Sequence, residues 1–427
     1  MSVDKQEPNK PLPNRDTSQP MNILFLTDNY PPESNAPASR THEHARQWVA
    51  DGHSVTVITC APNFPAGKLY EGYKNSWYTR EVNDGVTVVR VKTYITANEG
   101  FLKRTLDYQS FMLTGTLAAM RQSKPDVVVA TSPQFFTAVA GYLVGLFRRV
   151  PFVFELRDLW PASITAVGAM QSGRVIRTLE RLEIFLYRKA ALIVPVTHTF
   201  KEELVSKGIK ASKIVVVRNG VNLEQYRPMP KNTSVLDELD AHDAFIVGYI
   251  GTHGMAHGLP RVVEAAALLE STREVVFIFV GGGAERVALE ADVKSRKLNN
   301  VRLLPMQPKA RMPDIWSVCD IALIPLRNKP LFSSVIPSKL FECMGMGIPV
   351  IMSVPAGEAT SIVEKTRCGL VVQPEDAQEL ADTVRKLRDD KPLLHKLKTN
   401  ALKAAEDFSR KQAARNMIEA FSELQKK

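Results

Sequence analysis

Cysteine is scarce: the 427 residues hold only Cys60, Cys319, Cys343 and Cys368, far apart, with no CxxC pair and no metal-ligand spacing. That excludes a disulfide framework and points to reduced thiols, in or near a core, in a reducing compartment. Long apolar runs are lacking too. The longest, FFTAVAGYLVGLF at 135–147, falls short of the roughly 20 residues a membrane-spanning helix needs, so it reads as a buried helix. The first 20 residues contain no continuous apolar stretch and carry Pro8, Pro11, Pro13 and Pro20 among mixed charges. They read as a disordered leader, not a signal peptide. Several catalytic signatures are missing as well: HExxH, GxSxG, GxGxxG and any metal-spaced His/Cys cluster. These absences argue against a zinc hydrolase, an α/β-hydrolase and a dinucleotide-dependent dehydrogenase. His42, His44 and His53 have no evident partners and read as helix-surface or turn residues.

Positive charge is in excess, formally +10. Nucleic acid, anionic lipid and phosphate-rich substrates would each suit that balance. With no helix-turn-helix, zinc-finger or RNP-type aromatic motif, nucleic acid is not an expected partner. The length exceeds what one hydrophobic core holds, about 250–300 residues, and the apolar pattern starts twice. Strands are expected at 21–26, 54–59, 86–91, 127–131, 152–155 and 192–196, with helices at 41–50, 108–122, 136–147 and 175–189. The pattern restarts at 245–250. Strands at 275–280, 301–304, 321–324 and 349–352 then alternate with helices at 259–269, 313–319 and 337–346, and helices at 377–389, 393–407 and 410–425 follow. Alternating strands and helices predict α/β architecture, two Rossmann-like doubly wound domains with a hinge near 196–219.

Four segments carry candidate chemistry. In Gly251-Thr252-His253-Gly254-Met255-Ala256-His257-Gly258, between a strand and a helix, glycines let the backbone approach a ligand. The following helix N-terminus offers free N–H groups to a diphosphate. A tight turn needing glycine for geometry alone accounts for it equally well in isolation. Gly281-Gly282-Gly283 repeats the device after the next strand, where a structural turn is the simpler account. In IPSKLFECMGMGIPV (336–350), Pro337 presets a helix start, and Ser338 and Lys339 fall at its positive end. Glu342 lies one turn on from Ser338, able to accept from two vicinal ribose hydroxyls; a solvated amphipathic helix is the alternative. Finally, Arg157 and Asp158 sit just past an apolar strand, where open α/β sheets bind ligands, unless Arg157 merely pairs with a neighbouring carboxylate.

Together these segments resemble the retaining glycosyltransferases of family four, which have the GT-B fold, two Rossmann-like domains facing across a cleft. The resemblance runs from 21 to 427 and rests on MNILFLTDNYPPE with GHSVTVITC, FELRDLWPAS, VVRNGVNLEQYRP, YIGTHGMAHGL, FVGGG and PSKLFECMGMGIPVI. Within the family the chain looks most like the branch that builds bacterial surface polysaccharides such as O-antigen and capsule, which includes N-acetyl-L-fucosamine transferases. The resemblance implies an acceptor domain over 21–200, completed by the C-terminal helix 410–427, and a nucleotide-sugar domain over 201–409.

Residue by residue, Glu342 matches the second glutamate of the family's E-x7-E motif, the donor-ribose ligand; the first would fall at Ser334. His257, before Gly258, stands where the family has a basic residue ahead of the second-domain helix, and His253 where another helps hold the diphosphate. Met306 and Gln307 resemble the backbone clamp on the nucleobase. The donor site so implied comprises Gly251, Thr252, His257, Gly258, Gly281, Gly283, Met306, Gln307, Ser338, Lys339 and Glu342, with His253, Lys339 and Asp158 as catalytic candidates. Arg157, Asp158, Ala36 and Ala38 face the acceptor, the two alanines standing where the family's first loop has paired glycines.

The expected activity is transfer of a UDP-linked sugar, an N-acetylated 6-deoxyhexose being one candidate, to a lipid-linked saccharide with retention of configuration. No cofactor is expected and, with no DxD, no metal. The expected location is cytoplasmic, peripheral on the inner face of the cytoplasmic membrane. The segments around Lys103-Arg104 and Phe147-Arg148-Arg149, apolar residues beside cations, suit such a contact. Two other readings share the architecture: a UDP-sugar 2-epimerase and a non-catalytic polysaccharide-assembly subunit.

Overall fold

The computed structural model describes residues 19–33, 35–64, 66–96, 101–132, 134–159, 173–272 and 274–426. The expected leader lies outside the described residues except for Gln19 and Pro20, as do Trp160 and Pro161 of the FELRDLWP segment.

Two sheets form. The first contains β1 (Asn22–Leu26), β2 (Ser54–Cys60), β3 (Tyr78–Asn83), β4 (Val86–Val91), β5 (Val127–Thr131), β6 (Phe152–Leu156) and β7 (Leu192–Pro195), in the order β3-β4-β2-β1-β5-β6-β7. Every pairing is parallel except the hairpin of β3 with β4. The second contains β8 (Phe245–Ile250), β9 (Val275–Val280), β10 (Val301–Leu304), β11 (Ile321–Pro325), β12 (Val350–Ser353) and β13 (Gly369–Val371), all parallel, ordered β10-β9-β8-β11-β12-β13. With the β3 edge set aside, both sheets run 3-2-1-4-5-6, the doubly wound order. The strands are near-continuous apolar runs because helices cover both faces. Each domain thus has one topological switch point, between β1 and β5 and between β8 and β11, where ligand crevices open beyond the strand carboxyl ends.

Helices α1 (Ala36–Ala50), α2 (Phe101–Met120), α3 (Phe135–Arg148) and α4 (Arg174–Lys189) accompany the first sheet. Helix α1 starts five residues earlier than expected because Asn35 caps it, its side chain accepting from Ala38 N, with Pro37 in the first turn. Helix α5 (His198–Ser206) and the segment to Val217 also belong to this lobe: Val215 N and Val217 N bond to Ile193 O and Pro195 O alongside β7. The first lobe therefore runs past residue 200.

The second sheet is wrapped by α6 (Thr233–Leu239), α7 (Leu259–Ala267), α8 (Arg286–Ser295), α9 (Met312–Ser317), α10 (Lys339–Met346), α11 (Glu358–Thr366), α12 (Ala377–Asp389) and α13 (Lys391–Asp407). Helix α14 (Arg410–Gln425) crosses back. Its Ala414, Met417 and Phe421 join Phe25 and Trp48 in a core of the first lobe, and Trp48 Nε1 donates to Ala414 O at 2.9 Å. Of the three histidines expected at the surface or in turns, His44 and His53 are buried and His42 is half-buried. His44 is buried beside Trp48 (ring centroids 5.8 Å), His42 bonds Tyr30 Oη at 3.1 Å, and buried His53 accepts from Met21 N. All four cysteines are free and buried.

The lobes are tied where the chain passes between them. Buried Arg40 donates to Glu155 (2.8 Å), Val217 O, Arg218 O and Asn219, holding the connecting strand against α1 and β6. Glu358 at the start of α11 accepts from Arg218 Nε and His198 N, and Arg410 pairs with Glu43.

Candidate active site

At the switch point of the second domain the chain leaves β8 through Gly251 and enters α7 after Gly258. Gly251 adopts φ +146°, and a Cβ there would lie 2.7 Å from Lys339 Nζ. Gly281 and Gly283, after β9, both have φ +148°; a Cβ on the first would strike Gly251 O at 1.9 Å and on the second His253 O at 2.6 Å. The two loops interlock, His253 N bonding Gly282 O at 2.8 Å. Both glycine runs are therefore required by close backbone packing. Gly258, in the left-handed region at φ +58°, turns the chain into α7.

Packing this tight buries His253 completely and leaves both its ring nitrogens unpartnered. Burial, with Arg286 and Lys339 nearby, lowers its pKa to about 4, so the imidazole is neutral at pH 7. Half-buried His257 meets Pro325 O with Nδ1 at 3.3 Å, and burial lowers its pKa too. Thr252 is exposed; its carbonyl accepts from Tyr249 Oη at 2.5 Å.

Lys339, first residue of α10, reaches into the same space. Its stem is partly exposed, but Nζ is buried, has no hydrogen-bond partner and stands 4.1 Å over the Tyr249 ring. Burial lowers its pKa to about 8. The cation–π contact compensates the lost hydration only in part. Ser338 caps α10 without a side-chain cap bond and is exposed. Glu342, half-buried one turn on, holds one carboxylate oxygen on Trp316 Nε1 at 3.3 Å, so its two oxygens are not both open. Ser334, at the E-x7-E position without a carboxylate, bonds Leu331 O in a 3-10 turn. Beyond β10, Met306 is 80 % exposed and Gln307 bonds Arg311.

The facing lobe contributes the first turn of α1 and the end of β6. Ala38 is buried, Ala36 exposed, and neighbouring Ser39 receives Lys309 Nζ from the other lobe at 2.6 Å, so the seam closes here. The backbone N–H groups of Arg157 and Asp158 both donate to Ser132 Oγ (2.7 and 3.2 Å), fixing the turn after β6. Arg157 is held beside Glu155 with Nη1 buried and unpartnered; burial lowers its pKa to about 10. Burial alone would raise the Glu155 pKa, but Arg40 and Arg157 bring it below the usual carboxylate value. Among the described residues no group of three or more His, Cys, Asp or Glu could hold a metal ion.

Two family models cover this arrangement lobe by lobe: the glycosyl transferase 4-like domain over residues 35–220, and glycosyl transferases group 1 over residues 236–404. The chain belongs to the group 1 glycosyltransferases. This group 1 glycosyltransferase is 25 % identical over 375 residues to the WcaI glycosyl transferase of Escherichia coli K12, named for colanic acid biosynthesis, covering 86 % of this chain and 91 % of that one. It is 23 % identical over 395 residues to D-inositol 3-phosphate glycosyltransferase 1 of Catenulispora acidiphila, covering 89 % and 88 %. Its fold matches that of HepE from Anabaena, solved with UDP and glucose, at TM-score 0.68 and 20 % identity over 94 % of this chain and 99 % of that one. The architecture is GT-B.

Several residues of this glycosyltransferase escaped sequence reasoning. Tyr249, the ring beneath Lys339, reads as an ordinary strand residue until its spatial partner is known. Three carboxyls line a cavity at the first switch point: buried Glu33 and half-buried Asp28, both inside MNILFLTDNYPPE but given no role there, and half-buried Asp107, in a segment without a motif. Arg104, expected to face a membrane, instead lines the cavity at that switch point and donates to Tyr108 Oη at 2.7 Å, leaving Lys103 as the outward charge of the pair.

Proposed function

We propose that this glycosyltransferase moves a sugar from a UDP-linked donor to a lipid-linked saccharide during assembly of a bacterial surface polysaccharide, retaining the anomeric configuration. The observation that carries the donor reading is Lys339: a buried ammonium with no hydrogen-bond partner, at the switch point where doubly wound sheets bind ligands. A donor diphosphate supplies the missing charge. The positive dipole ends of α7 and α10 lie at the same leaving group. Neutral His253 and His257 act as hydrogen-bond partners, not charges. The free carboxylate oxygen of Glu342 meets the ribose. UDP is favoured by HepE, solved with that nucleotide, and the polysaccharide role by WcaI. N-acetyl-L-fucosamine is the sugar to which the sequence resemblance points.

In the reaction the bond from sugar C1 to the diphosphate oxygen breaks, its electron pair leaving with the nucleotide. The acceptor oxygen bonds C1 from the same face, and its proton passes to the departing phosphate. The enzyme's task is electrostatic stabilisation of that leaving group, and no protein base is required. Asp158 and Arg157 position the acceptor at the first lobe.

A membrane-side acceptor is supported by the surface of α2 and α3. Leu106, Leu113 and Leu117 are 53–61 % exposed at i, i+7 and i+11 on one face of α2, with exposed Lys103 a turn before. Leu146 and Phe147 are exposed at the end of α3, beside Arg148 and exposed Arg149. Trp77, 73 % exposed with Lys92 over its ring at 4.8 Å, continues the surface, Gln122 linking Tyr78 to Arg148. No helix among the described residues is long and apolar enough to cross a membrane.

A thermal-shift panel of UDP-, GDP- and TDP-sugars tests the donor. A ligand at 100 times its Kd adds about 2.7 kcal/mol of stability. UDP-sugars should shift the transition; a panel without any response ends the donor reading. UDP release that depends on added acceptor separates transfer from epimerisation and from a non-catalytic subunit.

A further inference from the structure

The switch point of the first lobe opens into a cavity of about 280 Å³, near the lower end of small-molecule sites and suited to a single sugar ring. Its charge is lopsided. Asp28, just past β1, Glu33 and Asp107 of α2 line it against one guanidinium, Arg104, already engaged with Tyr108. Glu33 is 4 % exposed; its Oε1 accepts from Asn63 N and Phe64 N (2.8 and 2.9 Å), while Oε2 is buried without a partner. Asp28 Oδ2 accepts from Gln134 Nε2 at 3.0 Å, and Oδ1 is likewise buried and unpartnered. Two buried acceptors without donors are costly unless a ligand supplies them.

The cavity borders the seam between lobes. Asn35 and Pro37 form part of its wall, and Ser39, two residues on, is the one that Lys309 crosses the cleft to meet. We infer that this cavity seats the reacting end of the acceptor, and that it takes a sugar ring bearing hydroxyl or ammonium donors and rejects one bearing an acid. The inference rests on the reading that the first lobe receives the acceptor.

Burial and mutual repulsion raise the pKa of Asp28 and Asp107, that of Asp107 to about 7, and burial raises that of Glu33; the same forces would act on a uronate, which could enter only by taking up a proton. Arg104 already offsets Asp28 and Asp107, and one guanidinium does not balance a further carboxylate as well. Hydroxyls or an ammonium instead donate to Asp28 Oδ1 and Glu33 Oε2. The phosphate of a lipid-linked acceptor must then lie outside the cavity. Asp28 and Glu33 are specificity residues in this scheme, not proton carriers.

The test uses the full chain and three probes of one ring: methyl glucoside, its 2-amino-2-deoxy analogue and the methyl glucuronoside, titrated at pH 7 by saturation-transfer NMR. The neutral and amino probes should bind, with the uronate at least tenfold weaker. In Asp28→Asn and Glu33→Gln that handicap should shrink severalfold, with Asp107→Asn as a third variant should either fail to fold. A UDP thermal shift equal to wild type certifies that each variant is folded. Equal binding of uronate and glucoside to wild type, absence of binding by any probe, or an unchanged preference in the folded variants overturns the inference. If UDP-sugars fail to bind while the charge preference holds, the UDP-donor reading fails and the charge selectivity of the cavity stands.

Discussion

Gly251 and Lys339 occupy one space: the missing side chain of the first is where the ammonium of the second sits, 2.7 Å from the position a Cβ would take. Gly251→Ala should therefore act on the donor through Lys339. The residue also adopts φ +146°, where a side chain is strained by about 1–3 kcal/mol. We expect a folded protein, less stable by that amount, whose UDP affinity falls about 10- to 100-fold, corresponding to 1.4 kcal/mol per tenfold. Calorimetric titration with UDP beside a melting curve reads both, and wild-type affinity in the alanine variant would refute the coupling.

Lys339→Met separates stability from binding. The folded-state pKa of Lys339 is lowered, so its charged form opposes folding below about pH 8, and the penalty disappears above the unfolded value near 10.5. At pH 7 the shift corresponds to roughly 3 kcal/mol at most. The methionine variant should melt higher than wild type at pH 7, the advantage shrinking as pH rises from 8 to 10.5, and it should lose most of its UDP response. For wild type, UDP affinity should be flat below about pH 8 and decline above it, because the anion binds the protonated lysine. A variant that melts lower at pH 7 contradicts the unpaired-charge account.

Much of this was legible beforehand, for physical reasons. Strands buried on both faces are unmistakable apolar runs, so 86–91, 127–131, 245–250 and 275–280 coincide with the observed elements. Strand β3, YTREVN, is an exposed antiparallel edge and carries no such signal. Helix α11 and β13 were missed because one is largely polar and the other only three residues long. Lys339 was visible through helix-start chemistry, but its lack of a hydrogen-bond partner was not. Asp28 and Asp107 are brought together only by the β1/β5 switch point, and no spacing in the chain announces that.

Glu342→Ala should impair donor use without unfolding the protein. Its carboxylate is anchored by the Trp316 indole, which leaves one oxygen for a ribose hydroxyl. Loss of a charge-assisted bond costs about 1.5–3 kcal/mol, hence roughly a 10- to 150-fold fall in kcat/KM for the donor. Trp316→Phe, which frees the carboxylate to rotate, should give a smaller fall. Unchanged kcat/KM in a folded Glu342→Ala protein removes the ribose role.

Metal removal makes a separate test. In the proposed reaction the leaving diphosphate is matched by Lys339 and helix N-termini, and the described residues provide no metal-holding cluster. Activity should survive dialysis against EDTA within a factor of two. Activity lost on chelation and restored by Mg²⁺ or Mn²⁺ would require a cation carried in with the substrate.

The exposed face of α2 and α3 makes the last prediction. Three leucines on one side of α2, with Leu146, Phe147 and Trp77 nearby, form an apolar surface bordered by Lys103, Lys92 and Arg149. Lys103 and the α3 basic pair stand at opposite ends of α2, roughly 25–30 Å apart at 1.5 Å per residue, so both can rest on one lipid surface. Each cation near anionic lipid contributes about 1 kcal/mol, and salt screens that part because charge reaches only about 8 Å at physiological ionic strength. The leucines and Phe147 supply a part that salt does not screen. The protein should float with liposomes containing anionic lipid and be partly released by high salt. Lys103→Glu with Arg149→Glu should abolish the salt-sensitive part, and Leu113→Ser with Phe147→Ser the remainder, while both variants keep the UDP thermal shift. Arg104 is left intact because it belongs to the cavity. Wild type that stays in the soluble fraction under every lipid condition rules out this membrane contact and makes a soluble acceptor the better account.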